Sequence, residues 1–556
     1  MKIFILGNYT TVFLKNELEK NIKKLNFDCQ IKNADYDSID FNILDSNSDL
    51  YNFNPDILIW HESTLKIRDI FYNVSELEKA TFSENYLNKL NNYLNILFTK
   101  LPRCRVVYAN HTLLFNDKIY GNFGLKIESS WQYQIIKLNY LLNNLALSSS
   151  NLFLVDSSKP IYNGHFETIN FSLYINADLH FTLDYFDFLS KQYVNIILSL
   201  FGKSKKCIIL DLDNTLWGGV IGDDGLNGIE IGDFGIGKAY SKLQTWLKEL
   251  SNRGIILVVC SKNNEDIAKE PFIKHNEMIL KLDDIALFVA NWNNKADNIR
   301  YIQNQLNISF DSMVFIDDNP AEREIVTKYL PDILVPDLPK DPSEYLPFLI
   351  DLNLFETINF SKNDSLRTKQ YIDNFKRNLH LANLTNMDEY LDSLRMKILV
   401  QSFNENNIDR ISQLTLRSNQ FNLTTKRYTV SDIRSLINNP NYITYSVNLS
   451  DKFGDYGLIS LVILKKQDKI VTIDTWLMSC RVLKRTVEHF LMNHIVSELI
   501  ENDYEELEGE YIPTEKNSLV FDLLSDLGME PIQYNQNLYK LKLKNYNQLK
   551  SFINYE

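Results

Sequence analysis

The sequence predicts a multidomain α/β protein, and three observations support this fold class. The chain has 556 residues, which corresponds to roughly three to four domains of ordinary size. Short apolar runs alternate with stretches of helical spacing through residues 1–345, a pattern typical of parallel sheets covered by helices on both faces. From about residue 390 the apolar runs follow one another closely, which favours an antiparallel meander.

The composition excludes several classes of protein. With 45% hydrophobic and 23% charged residues, the chain is unlike a disordered protein. Its formal net charge of -13 argues against a basic nucleic-acid surface, and no apolar run approaches the roughly 20 residues that span a bilayer. Five cysteines without a CxxC pair argue against a disulfide scaffold and a thiolate zinc site and favour the cytoplasm. We expect no nucleic-acid partner and no membrane partner.

Residues 1–195 are predicted to form the first α/β domain. Apolar runs read as buried strands, and the polar stretches between them have helical spacing. The predicted strands are Ile3–Leu6, Asp56–Trp60, Val106–Ala109 and Leu152–Val155, and two of the predicted helices are Phe13–Leu25 and Ser83–Thr99.

Residues 200–345 repeat this alternation with stronger punctuation. A helix is predicted from Ile236 to Asn252 because apolar side chains share one face, and Arg253–Gly254 ends it. The Pro-rich stretch 335–342 predicts a boundary, followed by a linker or helical segment at 346–389. The predicted strands are Cys207–Leu210, Ile255–Cys260 and Met313–Ile316, and a further helix begins near Lys295.

Residues 390–556 are predicted to form an α+β domain. Closely spaced strands come first and a long helix near Lys484–Ile500 comes after them. The predicted strands are Tyr442–Leu449, Leu458–Leu464 and Ile470–Trp476.

Chemically useful side chains follow the predicted strands of residues 200–345. Asp211 and Asp213 end one strand, Ser261 ends the next, Lys295 begins a helix, and Asp317–Asp318 ends a later strand. In an open α/β sheet the carboxyl ends of the strands meet at one edge. An Asp-rich turn beside an unrelated acidic loop is the structural alternative, but four elements in this order favour a phosphoryl-transfer site.

Each of these residue types has a role in such a site. A carboxylate such as Asp211 can attack phosphorus, and Asp213 can protonate the leaving oxygen and then activate water. Asp211 and Asp317–Asp318 offer the oxygen ligands that Mg²⁺ prefers. Ser261 and Lys295 can hold the phosphoryl oxygens that are not transferred.

The spacing of these residues leaves no room for a large cap domain. Residues 211 and 261 are 50 positions apart, and residues 261 and 295 are 34 apart. We therefore expect an open site with at most a small flap at Trp217–Asp233. An open site suits a macromolecular substrate, since small metabolites are more often enclosed.

Eight motifs are spread over residues 205–520. They are DLDNTLWGGVIGDDG (211–225), VCSKNNED (259–266), NWNNKADNI (291–299), FIDDNPAERE (315–324), NQFNLTTKRY (419–428), DKFGDYGLIS (451–460), DTWLMSCRVLKR (474–485) and GEYIPTEKN (509–517). As a set they resemble the FkbH-like branch of the haloacid dehalogenase (HAD) superfamily.

This resemblance implies a Rossmann-like HAD domain without a large cap, joined to a C-terminal GNAT-like domain. It also implies Asp211 as nucleophile, Asp213 as acid/base, and Thr215, Ser261 and Lys295 as phosphate ligands. Asp211, the carbonyl of Asp213, and Asp317 and Asp318 would surround Mg²⁺.

The resemblance also implies a reaction. Characterised members take a glyceryl unit from 1,3-bisphosphoglycerate, remove the phosphate and load the acyl group on an acyl carrier protein for polyketide-type biosynthesis. The expected partners are a phosphorylated three-carbon acyl donor and a carrier protein with its phosphopantetheine arm. Two alternatives remain: a phosphatase fused to a GNAT acyltransferase that acts on a sugar or other small molecule, and a carrier-binding scaffold without turnover.

Acyl transfer to a thiol directs attention to two cysteines. Cys260 directly precedes Ser261, and Cys480 stands beside cationic residues that can lower the pKa of a thiol. Either cysteine can be the acyl carrier, and structural packing is the alternative for both. The turn after Cys480 lacks the glycines usual in a GNAT coenzyme site, so we expect a carrier-protein arm or a solvated basic helix start there. The expected carrier or acyl contacts are Asn419, Arg427, Asp455, Arg481, Lys484 and Arg485.

The first domain vaguely resembles an SGNH hydrolase. Gly7–Tyr9 occupies the turn where the nucleophilic serine of that family would stand, so we expect no hydrolysis and interpret the domain as a docking or scaffold unit. Asp178 and His180 depart from the DxxH spacing of that family, and a structural histidine is the favoured interpretation.

Overall fold

The computed structural model divides the chain into two compact units, Met1–Leu198 and Ser199–Glu556. The second unit holds two sheets, which lie within the predicted ranges 200–345 and 390–556. The domain limits themselves stay a prediction, and much of 346–389 lies outside the described residues. The described residues are 1–25, 28–113, 119–157, 167–358, 369–373, 377, 386–532 and 535–556.

The first unit is built on a five-stranded parallel sheet of order β2-β1-β3-β4-β5, which confirms the α/β prediction. β1, β3 and β4 are almost entirely buried because helices cover both faces. The four predicted strands are present, and β2 is an additional short strand. The strands are β1 (Lys2–Gly7), β2 (Gln30–Asn33), β3 (Ile57–His61), β4 (Arg105–Ala109) and β5 (Leu152–Val155).

The helices of this unit include both predicted ones, with shifted ends. A 3₁₀ helix occupies Gly121–Lys126. The α-helices are α1 (Val12–Lys23), α2 (Ile39–Leu44), α3 (Asp49–Phe53), α4 (Thr64–Asn73), α5 (Glu76–Lys79), α6 (Phe82–Lys100), α7 (Trp131–Ser148), α8 (Phe171–Ala177) and α9 (Leu183–Leu200).

The second unit begins with a four-stranded parallel sheet of order β8-β7-β6-β9. This Rossmann-like arrangement confirms the predicted strands and adds β8. Only short elements separate its strands, so the described residues contain no domain-sized cap. The strands are β6 (Cys207–Leu210), β7 (Ile256–Ser261), β8 (Ile285–Ala290) and β9 (Met313–Ile316), and the helices are α10 (Ile221–Asp224), α11 (Gly237–Asn252), α12 (Glu265–Lys274), α13 (Lys295–Leu306), α14 (Pro320–Tyr329) and α15 (Tyr345–Asp351).

The apolar face predicted for α11 packs in the core of this sheet. Tyr240, Leu243, Leu247 and Leu250 are all buried there. The helix ends where the sequence predicted, and Gly254 adopts a φ of +89° just beyond it, a conformation that favours glycine. Because α11 runs antiparallel to the strands, it begins at the edge where β6 ends.

The C-terminal part is an eight-stranded mixed sheet of order β15-β16-β14-β13-β12-β11-β10-β17. β11, β12 and β13 form the predicted antiparallel meander, and a helix then crosses to β14, which pairs parallel with β13. This confirms the α+β prediction. The strands are β10 (Met396–Gln401), β11 (Tyr442–Asp451), β12 (Gly454–Gln467), β13 (Ile470–Met478), β14 (Glu506–Glu510), β15 (Glu530–Ile532), β16 (Asn535–Lys542) and β17 (Ile553–Tyr555).

The crossover helix begins later than predicted, at Val487 rather than Lys484. Lys484 and Thr486 both have positive φ, so the backbone turns before the helix starts. Within the described part of the chain, no helix is both long and apolar enough to cross a bilayer. The helices here are α16 (Met387–Ser393), α17 (Ile408–Arg417), α18 (Val430–Leu436), α19 (Val487–Glu501) and α20 (Leu523–Asp526).

Candidate active site

The residues expected at the sheet edge do meet there. Asp211 directly follows β6, and its N–H donates to the carbonyl of Ile316, the last residue of β9, at 2.9 Å. Ser261 ends the neighbouring strand β7, and Lys295 begins α13 after β8. The parallel register of these strands therefore places the phosphoryl-transfer candidates at one edge.

A buried lysine joins two of the carboxylates. The ammonium of Lys295 lies 2.7 Å from Asp211 Oδ1 and 2.5 Å from Asp317 Oδ2. The Lys295 side chain is only 3% exposed and that of Asp317 is fully buried. Asp211, Asp317 and Asp318 each offer one oxygen, and these oxygens lie within 4.8 Å of one another. We call these three carboxylates the acidic cluster.

Burial dominates the electrostatics of the acidic cluster. It raises the pKa of Asp211 and of Asp318, and it raises the pKa of Asp317 to about 6. Burial alone would lower the pKa of Lys295, but its two carboxylate partners outweigh burial and raise that pKa. Three carboxylates against one ammonium leave an excess of negative charge, which a divalent cation with oxygen ligands would offset. The donor set of the acidic cluster therefore fits Mg²⁺.

Asp213 lies beside the acidic cluster with its carboxylate fixed by three hydrogen bonds. Its Oδ1 accepts from Trp217 Nε1 at 3.0 Å and from the Ile221 N–H at 2.9 Å, and its Oδ2 accepts from Asn263 Nδ2 at 3.0 Å. Asp213 and Asp318 are both partly exposed, so solvent reaches this side of the site. A carboxylate that is held and reachable can transfer protons to and from a substrate.

Thr215 has a different environment from the one expected. Its side chain is buried, and its hydroxyl accepts from the Asp318 N–H at 3.1 Å and donates to Asp318 Oδ1 at 3.3 Å. Thr215 thus supports a member of the acidic cluster, and its contact with phosphate stays a prediction. Ser261 is also buried, and its carbonyl accepts from the Asn291 N–H at 3.1 Å.

Sequence reasoning missed two residues of the site, Asn263 and Arg323. Asn263 orients Asp213, while Arg323 donates to the carbonyls of Asp317 and Asp318 at 3.0 and 2.7 Å. Both lie inside the motifs that carry the resemblance, but a polar residue after a strand or inside a helix gives no local sign of its partner.

The two candidate cysteines have contrasting environments. Cys260 is fully buried in an apolar cluster, its Sγ is 4.0 Å from the carbonyl oxygen of Lys295, and burial raises the pKa of its thiol to about 12. This does not fit an acyl carrier, which must react as a thiolate. Cys480 is partly exposed, and its carbonyl accepts from Asn307 Nδ2 at 3.3 Å.

Cys480 lines an open cleft between the two sheets of the second unit. The empty space of this cleft, including its mouth, is about 810 Å³. Asn419 and Arg481 also line it. Among its described lining residues, Lys206, Ile256 and Ser312 come from the other end of the HAD strands.

The remaining expected carrier contacts do not line the described part of this cleft. Arg427 donates to the Ser418 carbonyl at 2.9 Å and to Asn419 Oδ1, and so braces the end of α17. Asp455 is an exposed residue near the start of β12, and its carboxylate accepts from the Gly457 N–H. Arg485 is buried with its guanidinium 5.5 Å from the Tyr456 ring. Arg485 therefore contradicts the expectation of a fully solvated basic helix start, while Lys484 is exposed.

The cleft and the acidic cluster lie at opposite edges of the HAD sheet. Lys206 precedes β6 and Asp211 follows it. At a rise of about 3.3 Å per residue, the five steps between them span about 16 Å. An acyl group on Cys480 therefore does not lie within bonding reach of Asp211.

The turn of the first unit supports a structural role. Tyr9 OH lies 2.6 Å from His61 Nδ1, and Ser63 Oγ lies 2.7 Å from His180 Nδ1. His180 Nε2 is 3.2 Å from Asp178 Oδ1 but without hydrogen-bond geometry. Ser63 and His180 are fully buried, which favours the structural interpretation of His180.

Fold and site together define a class: a phosphatase-type domain that works with a lysine and an acidic cluster at the carboxyl edge of a parallel sheet. Three comparisons extend this conclusion. The family described as FkbH, N-terminal domain, matches residues 2–198. The crystal structure of the N-terminal part of BF1531 from Bacteroides fragilis, which contains a phosphatase domain complexed with Mg, is 44% identical over 64% of this chain and 94% of its own, with a TM-score of 0.61. The chain therefore belongs to the FkbH-like branch of the HAD superfamily.

Acetyltransferase structures resemble part of the chain far more weakly. The ribosomal-protein-S18-alanine N-acetyltransferase from Escherichia coli is 13% identical over 26% of this chain and 94% of its own, with a TM-score of 0.21. A GNAT-family acetyltransferase from Staphylococcus aureus is 11% identical over 26% and 99%, with a TM-score of 0.22. Such scores say nothing about what this chain binds or transfers. No curated protein matches the chain.

Proposed function

We propose that this protein is a Mg²⁺-dependent glyceryl transferase and phosphatase that charges an acyl carrier protein. The acidic cluster with Lys295 carries the phosphatase part of the proposal. Membership in the FkbH-like branch supports the glyceryl part, with 1,3-bisphosphoglycerate as donor. Five free cysteines fit a reducing cytoplasm, and neither a nucleic acid nor a membrane belongs to the proposal.

The phosphatase step uses two aspartates. Asp211 attacks the phosphorus of the phosphomonoester, the P–O bond to the glyceryl oxygen breaks, and Asp213 gives that oxygen its proton. Asp213 then takes a proton from water, which attacks the aspartyl phosphate and releases inorganic phosphate. Mg²⁺ in the acidic cluster would neutralise charge on the phosphoryl oxygens. Lys295 holds Asp211 in position at 2.7 Å.

The acyl step needs a thiol. A thiolate attacks the carbonyl carbon of the mixed anhydride, a C–S bond forms, and the C–O bond to the phosphate breaks with loss of inorganic phosphate. Cys480 is the better candidate in this chain because it is partly exposed in a cleft, whereas Cys260 is sealed in the core. The phosphopantetheine thiol of the carrier is the acceptor, whether directly or from Cys480.

The phosphatase step and the acyl step use different sites, the acidic cluster and the cleft that Cys480 lines. About 16 Å of strand separates the cleft edge from the acidic cluster, so the acyl group must travel between them. A carrier protein with a long prosthetic arm supplies that reach, which favours a carrier over a small free acceptor.

Intact-protein mass spectrometry tests the proposal. The full-length enzyme is mixed with 1,3-bisphosphoglycerate, Mg²⁺ and a phosphopantetheinylated carrier protein, and we expect a glyceryl mass shift on the carrier. Asp211→Asn should leave a phosphorylated acyl group in place of the glyceryl group. Phosphate release without any shift on the carrier would instead support a phosphatase that acts on a small molecule. Binding of the carrier with neither result would support a scaffold.

Separate cysteine variants test the acyl carrier. We expect Cys480→Ala to abolish the enzyme-bound acyl adduct and Cys260→Ala to retain it. An adduct that survives both substitutions would show that neither thiol carries the acyl group.

A further inference from the structure

One arginine lies behind the acidic cluster and contacts the backbone that carries it. Arg323 is a largely buried residue in the first half of α14. Its Nη1 donates to the carbonyl oxygens of Asp317 at 3.0 Å and Asp318 at 2.7 Å. Its Nη2 donates to Asp337 Oδ1 at 2.7 Å. One guanidinium thus binds the backbone carbonyls of two consecutive residues whose carboxylates belong to the acidic cluster.

These bonds restrain the backbone from which the two carboxylates project. The carbonyls of Asp317 and Asp318 converge on Arg323, so the peptide planes on this side cannot rotate freely. The side chains are fixed separately, since Asp317 Oδ1 accepts from the Asn319 N–H at 2.8 Å and Asp318 bonds to Thr215. Nη1 serves both carbonyls and Nη2 serves Asp337, so the rigid planar fork of the guanidinium spans three acceptors, a geometry that the compact ammonium of lysine does not reproduce.

The first turn of α14, which carries Arg323, is fixed by its own contacts. Asn319 caps the helix by accepting from the Ala321 N–H at 3.0 Å, and Pro320 occupies the first turn. Glu322, in the same turn, forms an ion pair with Lys262 at 2.5 Å, and Lys262 is the residue that follows Ser261 in the chain. The residues on both sides of the site are therefore tied to this helical turn.

We propose that Arg323 is a positioning residue for the divalent-cation site, acting through the backbone of Asp317 and Asp318. The inference rests on the Mg²⁺ site of the proposed function but not on glyceryl transfer. In this role Arg323 would act from behind the carboxylates, without direct contact with substrate or cation. It holds the two carboxylates at the spacing that the cation requires, as partners behind metal ligands commonly do.

Calorimetric titration of the full-length protein with Mg²⁺ alone tests this role. Arg323→Lys retains the positive charge and loses the fork, so any change reports geometry rather than repulsion. We expect Mg²⁺ affinity to fall by about 10- to 100-fold, while the melting temperature without metal changes little. Asp337→Ala, at a carboxylate that is 92% exposed, should weaken Mg²⁺ binding by a smaller factor, because it removes the acceptor of Nη2 and loosens the guanidinium without removing it.

Arg300→Lys is the matched control. Arg300 also bonds a carboxylate and a backbone carbonyl, those of Asp297 at 2.6 Å and Tyr329 at 3.3 Å, but neither belongs to the acidic cluster. Wild-type Mg²⁺ affinity in Arg323→Lys would overturn the inference, as would an equal loss in Arg300→Lys. If Arg323→Lys does not fold, Asp337→Ala decides the question, and unchanged affinity there counts against the role. Failure of glyceryl transfer with normal Mg²⁺ binding would refute the proposed function and leave this inference intact.

Discussion

Replacing Asp213 by asparagine should separate the phosphorylation of Asp211 from the hydrolysis of the aspartyl phosphate. The asparagine keeps an oxygen for Trp217 Nε1 and the Ile221 N–H, and only the bond from Asn263 Nδ2 is lost. A hydrogen bond to a charged group contributes about 1.5–3 kcal/mol, which is less than the stability of an ordinary domain, so the variant should fold. It cannot, however, give or take a proton.

The expected loss depends on the leaving group. An alkyl oxygen, as in 3-phosphoglycerate, needs protonation, so the rate should fall by about 10²- to 10⁴-fold, which is about 2.7 to 5.5 kcal/mol. A p-nitrophenolate leaves without help, so p-nitrophenyl phosphate should still phosphorylate Asp211. Hydrolysis of that aspartyl phosphate needs the missing base, and the covalent intermediate should accumulate.

Rapid-quench kinetics and intact mass measure both effects. We expect a burst of p-nitrophenolate from Asp213→Asn and a protein mass increased by one phosphoryl group. Asp211→Asn, the control, should show neither. Equal losses on both substrates with no adduct would refute the assignment of Asp213 as the proton-transfer group.

Two further predictions concern stability. Lys295→Met leaves the carboxylates of Asp211 and Asp317 buried without their cation, so the free energy of unfolding should fall by about 3–5 kcal/mol, and Mg²⁺ should restore part of this loss. Denaturant unfolding with and without Mg²⁺ measures both effects. An unchanged free energy of unfolding would contradict the ion-pair geometry. Burial lowers the pKa of His111 to about 3, so the unfolded state binds more protons between pH 6.5 and 3 and stability falls as the pH falls. His111→Phe, which keeps the ring packing on Tyr108, should reduce this pH dependence by about 1.4 kcal/mol per pH unit; identical pH profiles of the two proteins would disprove the reasoning.

The sequence was informative where a local pattern carries the information. β6 and β9 were predicted with their observed bounds because both are short, fully apolar and followed by aspartates. β8 was missed even though it is mostly buried, since no catalytic residue marks its end. The start of α19 was misplaced at Lys484. Positive φ is usually signalled by glycine, but here Lys484 and Thr486 adopt it, so the sequence gives no sign of the turn.

The site was predictable to the same extent. Asp211, Asp213 and Lys295 follow or precede elements of one parallel sheet, so their meeting required only that the strands run in the same direction. Thr215 was expected to bind phosphate because the family resemblance implied it. Its bonds to Asp318 depend on a loop about 100 residues away, and the sequence carries no sign of them.

The sequence by itself determined the order of the carboxylates and the lysine along the chain. It also left no room for a large cap between residues 211 and 295, all of which the structure describes. Both follow from the chain length between elements, which is a local property. Only the tertiary structure decided which cysteine is accessible. The Cys260 side chain lies on a face of the HAD sheet that is covered by a helix. Cys480 instead lines the cleft at the end of the HAD sheet opposite the acidic cluster. Both outcomes depend on packing between segments distant in the chain, and side-chain burial is set by those neighbours and not by the residue's own flanking sequence.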